Sequence, residues 1–406
     1  MERAALVYTW GCASPTTSKG MPRDVNQSAH LMTDLRDFAF IHDWLTTWGG
    51  SEQVLDAALE VLGPAPVHTL VYKPEAFRET LIGNQHIVTS FLQNLPGSRR
   101  NHRLYLPLMP LAVEQFDLRP YSILISSSHT VALGALSRPD QLHVAYIHAP
   151  MRYGWHLYHQ YLEESGLTRG WKSWFVRGVL HYLRLWDAQA AQRVDHIIAN
   201  SRWTARCVRR AYRREAEVIY PPVDVESFQP ISPREDYYIT VSRLVPHKRI
   251  GLIIRAFGQL GFPMKIVGEG PLRRTLAREA PSNVELLGWQ PKEQLAQLLG
   301  RARAFVYAAE EDFGITPVEA QAAGCPVLAY GSGGALETVL EGKTGLFFRE
   351  QTEQALVETV REFERIRERF EVAEVQANAE RFRKDRFHRE LTSLLDTWWN
   401  EFRPTL

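Results

Sequence analysis

The chain has 406 residues, of which 47 are Lys or Arg and 46 are Asp or Glu, so its formal net charge is +1. This balance excludes a dedicated nucleic-acid-binding protein, whose affinity comes mainly from neutralising phosphates, and a disordered polyelectrolyte. The cysteines Cys12, Cys207 and Cys325 have no CxxC spacing, which is typical of a reducing cytosol and offers no zinc site. No apolar run approaches the roughly 20 residues that a membrane span needs. We therefore expect a soluble, cytoplasmic enzyme of two or three domains.

The N-terminal half begins with residues 1–36, which are rich in Ser, Thr, Asn, Gly and Pro and predict a poorly ordered extension. Short apolar runs and helical stretches then alternate over residues 37–222. The candidate strands are Phe38–His42, Ser122–Ser126, His143–His148 and His196–Ala199, and one candidate helix runs from Ser51, as its N-cap, to Leu62. This alternation predicts βαβ units around a parallel sheet.

A second alternation follows the Pro221-Pro222 pair and occupies residues 223–385. Its candidate strands are Tyr237–Val241, Met264–Val267, Val284–Leu287, Ala304–Tyr307 and Pro326–Ala329, with a helix over Ile250–Leu260. Apolar residues at helical spacing from Phe387 to Trp399 predict a final helix within 386–406. The fold class is therefore α/β with two doubly wound, Rossmann-like domains. Ligands of such folds bind beyond the carboxyl ends of the strands.

Two glycine pairs follow predicted strands. Gly49 and Gly50 precede a helix, where free N–H groups suit a phosphate, although a plain strand-to-helix turn explains the pair equally well. The run from Gly268 resembles the start of a GxGxxG fingerprint, but its third glycine is replaced by Arg273. With Pro271 placed in the first turn of a helix, we expect a tight turn that lines a cleft and no NAD site.

Charged residues follow two other predicted strands. Arg243 and Lys248 bracket a loop in which two cations can hold a diphosphate; a solvated basic loop is the alternative. Glu311 and Glu319 stand eight residues apart at a predicted helix start. Glu319 can accept hydrogen bonds from a ribose diol, and Glu311 can accept them from sugar hydroxyls. The alternative is a helix N-terminus whose acids merely complement its dipole.

Amides at the same helix start complete this candidate site. The N–H groups of Phe313, Gly314 and Ile315 can donate to a phosphate. Asp312 places a negative charge beside this turn, so we expect its side chain to point away from it.

These segments together resemble the retaining glycosyltransferases of family 4, which have the GT-B fold. Glu311 and Glu319 match the family's Glu-x7-Glu motif, and Arg243 and Lys248 match its Arg-x4-Lys diphosphate clamp. The N-terminal glycine pair and the segments Gly268–Pro271 and Gly333–Val339 match further recurring elements in the same order. The resemblance covers about residues 38 to 345 and implies a central cleft and a last helix that crosses back to the N-terminal domain.

The resemblance also implies roles. It assigns the donor diphosphate to Arg243 and Lys248, the ribose to Glu319, and the transferred sugar to Glu311 and the amides that follow it. His148, at a strand end, matches the histidine that the family places beside the sugar. Transfer then proceeds with retention and needs no metal or other cofactor.

The acceptor side is expected to include the aromatic segment that follows His148. Its Arg152 is a candidate hydrogen-bond partner for a saccharide or lipid-linked saccharide, and an aromatic core cluster is the alternative. The segment resembles bacterial mannosyltransferases of O-antigen and exopolysaccharide assembly, which favours GDP-mannose as donor. The basic, aromatic stretch over 168–184 suits either peripheral contact with the inner face of an anionic plasma membrane or packing on its own domain.

Alternative functions remain at this point. A transferase that uses a UDP-sugar and a sugar-nucleotide epimerase share the fold that the resemblance implies. A non-catalytic binding module predicts a damaged clamp, and an NAD-dependent oxidoreductase predicts the complete glycine fingerprint. Neither of these two features is present.

Overall fold

Two parallel β-sheets organise the computed structural model, which describes residues 37–405. The predicted extension at residues 1–36 lies outside the described residues. The first sheet has the order β3-β2-β1-β4-β5-β6-β7. Its strands are β1 (Phe38–His42), β2 (Val67–Thr69), β3 (Ile87–Thr89), β4 (Ile123–Ser128), β5 (Leu142–Ile147), β6 (His196–Ala199) and β7 (Glu217–Val218).

The second sheet has the order β10-β9-β8-β11-β12-β13 and is also parallel. Its strands are β8 (Tyr238–Val241), β9 (Met264–Val267), β10 (Val284–Gly288), β11 (Ala304–Tyr307), β12 (Val327–Tyr330) and β13 (Gly345–Phe348). In both sheets the order reverses beside the first strand, between β1 and β4 and between β8 and β11. A crevice opens at such reversal points, at the carboxyl ends of the strands.

Helices connect the strands of each sheet. Those of the first half are α1 (Gly50–Leu62), α2 (Ser98–Asn101), α3 (Met109–Glu114), α4 (Tyr158–Glu164), α5 (Trp171–Ala190) and α6 (Arg202–Tyr212). Those of the second half are α7 (Ile250–Leu260), α8 (Arg273–Glu279), α9 (Lys292–Arg301), α10 (Ile315–Ala322), α11 (Ala335–Thr338), α12 (Glu353–Ile366), α13 (Val372–Ala379) and α14 (Lys384–Phe402). The predicted α/β class with two doubly wound sheets is confirmed.

The central strands are buried on both faces, as crossover helices require. Every residue of β1, β4 and β5 is buried, and so is every residue of β11. Separate apolar clusters line the two faces of the second sheet; one contains Phe305 and Phe313, and the other contains Phe257 and Phe363. The strands therefore hold their carboxyl ends, and the loops beyond them, on rigid supports.

The last helix, α14, returns to the first half of the chain. Its Phe387 ring lies 6.2 Å from the ring of Tyr146 on β5. Its Trp398 stacks on His196 of β6, with ring centroids 4.2 Å apart and an interplanar angle of 5°. Lys384 forms an ion pair with Glu60 of α1 at 2.8 Å. The helix thereby buries the apolar stripe seen in its sequence.

Two local predictions are wrong. Ser51 is not the N-cap of α1, because the helix begins at Gly50 after the extended residue Gly49, and the Ser51 hydroxyl bonds to Glu52 at 3.0 Å. Pro271 is not in the first turn of a helix, because α8 begins only at Arg273. In both places the packing of the glycine-rich turn shifts the helix start relative to the residue that sequence preferences favour.

Candidate active site

The predicted site residues lie at the carboxyl ends of strands on both sides of the reversal points. Gly49 and Gly50 follow β1, and His148 follows β5. Arg243 and Lys248 follow β8, and Glu311 follows β11. A Cβ on Gly50 would lie 3.0 Å from Ile315 Cδ1, so the glycine loop of the first half touches the start of α10 in the second. The fold thus brings the two sets of residues to one cleft.

The two motifs of the second half meet at Lys248 and Glu311. Lys248 Nζ donates to Glu311 Oε1, and the hydroxyl of Tyr307 at the end of β11 donates to Oε2. Both charged side chains are mostly buried, with 15% and 17% of their surfaces exposed. Burial alone raises the pKa of Glu311, but Lys248 and the Tyr307 hydrogen bond hold it at about 2. Glu311 is therefore a carboxylate, shared between a cation and a hydroxyl.

Arg243 and Glu319 lack such partners. Within residues 37–404, no acidic side chain pairs with Arg243, which is exposed, and no side chain hydrogen-bonds to the carboxylate of Glu319. Partial burial and the charge of Arg103 lower the pKa of Arg243. Burial raises the pKa of Glu319 to about 7, against the opposing attraction of Lys292. These two groups have the unsatisfied charge and hydrogen-bonding capacity that an anionic, hydroxyl-bearing ligand would use.

The start of α10 offers backbone donors. Gly314 is its N-cap with φ of 87°, a conformation that favours glycine, and no side chain caps the helix. The Phe313 side chain is buried among Tyr220 and Phe382, so its backbone amide is the group left for a ligand. Phe313, Gly314 and Ile315 thus present amides at a helix N-terminus, where an anion is stabilised.

Gly268 has a local structural reason to be glycine. Its φ is 134°, and a Cβ there would lie 1.9 Å from the carbonyl oxygen of Ser242, just before Arg243. Gly270 similarly faces Leu244, at 2.4 Å from its carbonyl oxygen. This turn supports the loop that carries Arg243, and the direct contact of Gly268 with a substrate stays a prediction.

Arg152 and Asp312 join the two halves. The Arg152 guanidinium, on the loop after His148, pairs with the Asp312 carboxylate beside the Glu311 loop. Asp312 is 4% exposed. The partner of Asp312 is thus the side chain that the sequence assigns to the acceptor, and the direction of the Asp312 side chain relative to the α10 turn stays a prediction. A role of Arg152 toward an acceptor stays a prediction.

His148 is the last member of a buried chain of hydrogen bonds at the carboxyl ends of the central strands of the first sheet. Ser127 Oγ is 2.9 Å from His148 Nε2 and 3.1 Å from His42 Nδ1, and His42 Nε2 is 3.4 Å from Glu52 Oε1. The register places His42 opposite Ser127 in the β1–β4 pair. Burial and the charge of His129 lower the pKa of His148 well below its usual value, so its ring is neutral.

Asp43 organises the loop that covers this chain. Its two oxygens accept the backbone N–H groups of residues 129 to 132 at 2.6–3.0 Å. His129 Nδ1 is a further partner at 2.6 Å. Burial alone raises the pKa of Asp43, but His129 holds it well below its usual range. Asp43 is a structural anion that fixes the loop after β4 beside His148.

Glu337 forms another contact between the halves. Its carboxylate accepts the backbone N–H groups of Arg202 and Trp203, at 2.9 and 2.7 Å, and the hydroxyl of Tyr220 at 3.0 Å. A residue in the first turn of α11, in the second half, thus accepts hydrogen bonds from free donors at the start of α6 in the first.

No metal centre is assembled in the part of the chain that the structure describes, where no group of three or more His, Cys, Asp or Glu side chains is placed to hold an ion. None of the helices described is long and apolar enough to cross a bilayer.

Sequence reasoning missed Glu52, Ser127 and Tyr307. Ser127 lies 21 residues from His148 and joins it through tertiary packing, at a separation that no short motif reports. Tyr307 is only four residues before Glu311, and Glu52 is ten residues after His42, but no motif in the sequence singles them out. A position at a strand's carboxyl end was the available signal for Ser127 and Tyr307.

Two family comparisons cover most of the described chain. Residues 48–227 match the family described as Glycosyltransferase Family 4, and residues 225–381 match Glycosyl transferases group 1. The matches meet between the two sheets and follow the order of the two halves.

Curated relatives include mannosyltransferases. A GDP-mannose-dependent alpha-(1-6)-phosphatidylinositol monomannoside mannosyltransferase of Mycolicibacterium smegmatis is 34% identical over 37% of this chain and 48% of its own. The alpha-1,3/1,6-mannosyltransferase alg-2 of Neurospora crassa is 28% identical over 44% of this chain and 50% of its own. The chain spans about half the length of the curated relatives it matches.

A solved structure shares the fold over nearly its whole length. The HepE protein of Anabaena in complex with UDP and glucose superposes with a TM-score of 0.66 at 20% identity, over 89% of this chain and 99% of that one. The two family matches, which together cover residues 48–381, show that the chain belongs to glycosyltransferase family 4, and the likeness to HepE with the two parallel sheets shows the GT-B fold.

Proposed function

We propose that the protein is a retaining hexosyltransferase that moves mannose from GDP-mannose to a saccharide or lipid-linked saccharide in cell-surface polysaccharide synthesis. The observation that carries the transferase proposal is the contact of Lys248 with Glu311, which unites the Arg-x4-Lys and Glu-x7-Glu motifs in one cleft. GDP-mannose is favoured by the name of the Mycolicibacterium smegmatis relative and by the resemblance of the aromatic segment after His148 to bacterial mannosyltransferases.

The proposed donor complex uses Arg243 and Glu319, which lack side-chain partners among the described residues, together with Lys248, which is paired with Glu311. The diphosphate lies between Arg243, Lys248 and the amides at the start of α10, and the ribose hydroxyls donate to Glu319. When the diphosphate enters, Lys248 exchanges its bond with Glu311 for the phosphate oxygens, and Glu311 becomes available to sugar hydroxyls. Preorganised cations and amides stabilise the charge that develops on the leaving diphosphate without a metal ion.

Glu311 then acts as a positioning group. The incoming hydroxyl attacks from the face that the diphosphate leaves, and a phosphate oxygen of the leaving group takes its proton. A neutral His148 is suited to hydrogen-bond the transferred sugar, since its low pKa prevents it from competing as a cation for the diphosphate.

A nucleotide panel tests the donor. Purified full-length protein is heated with GDP-, UDP- and ADP-sugars, and we expect a rise in melting temperature with GDP-mannose, because a ligand that binds only the folded state stabilises it. Stabilisation by UDP-sugars alone would replace the GDP assignment. Epimerised nucleotide sugar formed without any acceptor would instead identify an epimerase.

We propose, in addition, that the protein works at the inner face of the plasma membrane through the outer face of α5. Trp171, Trp174 and Phe175 are 78%, 83% and 66% exposed, and Tyr182 and Leu185 continue the stripe at 47% and 59%. The opposite face packs into the domain through Leu180 and Leu183. Residues 168–184 include Arg and Lys but no Asp or Glu, so their charge complements an anionic bilayer. The aromatic side chains suit the bilayer interface, where Trp and Tyr rings are enriched.

Vesicle flotation tests this surface. The full chain should float with vesicles that contain phosphatidylglycerol, float weakly with phosphatidylcholine alone, and lose at least tenfold of its binding when Trp174 and Phe175 are both changed to Ser. Trp289→Ser is the matched control, because Trp289 is 70% exposed in the other half of the chain. Equal flotation of the double variant and the control would contradict the assignment of α5.

A further inference from the structure

The hydrogen-bond chain from Glu52 to His148 has only buried members. The exposed fractions of Glu52, His42, Ser127 and His148 are 5%, 1%, 3% and 8%. Each of the four residues belongs to a different element: Glu52 to α1, His42 to β1, Ser127 to β4, and His148 to the end of β5. A buried chain whose members bond in series has few ways to place its protons, so its direction can be derived.

The direction begins at Glu52, which can only accept. Burial alone raises its pKa, but the hydrogen bond from His42 and the charge of His129 keep it lowered, so it is a carboxylate. A singly protonated His42 must then place its proton on Nε2, toward Glu52, and present a lone pair on Nδ1. Ser127 has one proton and must donate it to that lone pair. Its oxygen is left to accept from Nε2–H of His148.

The geometry favours a singly protonated His42. Its 3.4 Å contact with Glu52 is longer than a charge-assisted bond of about 2.7–2.9 Å. The neighbouring pair of His129 and Asp43 does have a charge-assisted length, at 2.6 Å. The rings of His42 and His129 are 6.2 Å apart, so a charge on His129 opposes a second one on His42.

We propose that Glu52, His42 and Ser127 are positioning residues that hold His148 in its Nε2-protonated tautomer and leave Nδ1 as an acceptor for a sugar hydroxyl. The backbone of His148 is fixed as well: its N–H donates to the Ser128 carbonyl at 2.8 Å, and its carbonyl accepts from Asn200 Nδ2 at 3.0 Å. Nδ1 has no protein partner among the described residues and is not an enclosed atom. The sugar contact rests on the proposed function, whereas the tautomer does not.

Histidine nitrogen NMR tests the tautomer directly. In full-length protein labelled with 15N-histidine, the His148 ring, identified by its loss in His148→Gln, should show a protonated Nε2 and an unprotonated Nδ1 at neutral pH. Ser127→Ala should convert this signal to a mixture of tautomers, and Ser127→Thr should restore it because it keeps the hydroxyl. Glu52→Gln should also produce a mixture, since an amide can donate as well as accept.

Ser126→Ala is the matched control. Ser126 is a buried serine on the same strand, points to the other face, and bonds to His143 and the Ala132 carbonyl. It should leave the His148 tautomer unchanged. A wild-type His148 protonated on Nδ1, or a tautomer unaltered in both Ser127→Ala and Glu52→Gln, would overturn the proposal.

Kinetics then connect the tautomer to transfer. Ser127→Ala should lower kcat by at least tenfold with donor KM within about twofold, and Ser127→Thr should recover most of kcat, as expected when a hydrogen bond matters chiefly in the transition state. If the kcat of Ser127→Ala were no lower than that of Ser126→Ala, the proposed link between the His148 tautomer and sugar transfer would be overturned. If wild-type protein shows the tautomer but transfers no sugar, the proposed function fails and the positioning of His148 stands.

Discussion

The two edges of the cleft differ in how completely their polar groups are satisfied by the protein. On the side of the first sheet, at the carboxyl ends of its central strands, His42, Ser127 and His148 are buried and hydrogen-bonded in series to Glu52. At the edge of the second, Arg243 is exposed with no acid paired to it among the described residues, and Lys248 is held by Glu311.

This difference separates a prearranged group from groups that await a ligand. A satisfied buried network fixes orientation, since each member loses a hydrogen bond if it turns. At the other edge, Arg243 can bind an anion directly, whereas Lys248 must exchange its bond with Glu311 for one with the anion. The first half thus presents a rigid hydrogen-bonding surface, and the second provides the charge for an anionic donor.

Removal of the exchangeable cation should have the largest effect. Lys248→Ala should lower transfer at least hundredfold, because an oriented charge on the leaving group is lost. Release of nucleoside diphosphate measures this loss, and a melting curve checks the fold. Lys343→Ala is the control, since Lys343 is a 64% exposed lysine of the same half that pairs with Glu374. If Lys248→Ala transferred sugar as fast as the wild-type protein, the second half would not provide the charge for the donor, and the contrast between the two halves would fail.

The bridge between the edges should have an intermediate effect. Arg152→Ala leaves Asp312 buried without its cation and should lower the free energy of unfolding by about 2 kcal/mol, less than for a fully buried pair because Arg152 is 36% exposed. In urea titrations, the double variant Arg152→Ala/Asp312→Ala should lose less unfolding free energy than the sum of the losses in the two single variants.

The exposed pair Arg349–Glu341 provides the control cycle for this bridge. Its side chains are 62% and 47% exposed, so the two losses should simply add. Additive losses for Arg152 and Asp312 as well would show that the two edges are not coupled through this pair.

The titration of Glu319 should have the smallest effect. Its pKa of about 7 makes it half protonated at neutral pH, and only the carboxylate accepts both hydroxyls of a ribose. Donor affinity should therefore rise about fivefold from pH 6 to pH 8 and stay level in Glu319→Gln. Calorimetry with GDP-mannose measures this, because the diphosphate of a nucleotide sugar has no proton that titrates in this range. An identical rise in both proteins would exclude Glu319 as its cause.

Strongly patterned elements were predictable from the sequence. Phe38–His42, His196–Ala199, Ile250–Leu260, Met264–Val267 and Ala304–Tyr307 have the predicted bounds. Val67–Thr69 and Ile87–Thr89 were missed, because three residues are too few to show a period and both strands form only by pairing beside β1.

The sequence by itself determined the fold class and the charged residues of the second half, because strand periodicity and fixed motif spacing are local properties of a chain. Tertiary structure alone decided that Asp312 pairs with Arg152 and that Ser127 joins His42 to His148. Ser127 lies 85 residues from His42, and only the register of β1 with β4 brings them together. Side-chain partners at such separations depend on how strands pair and domains meet, which a one-dimensional pattern does not encode.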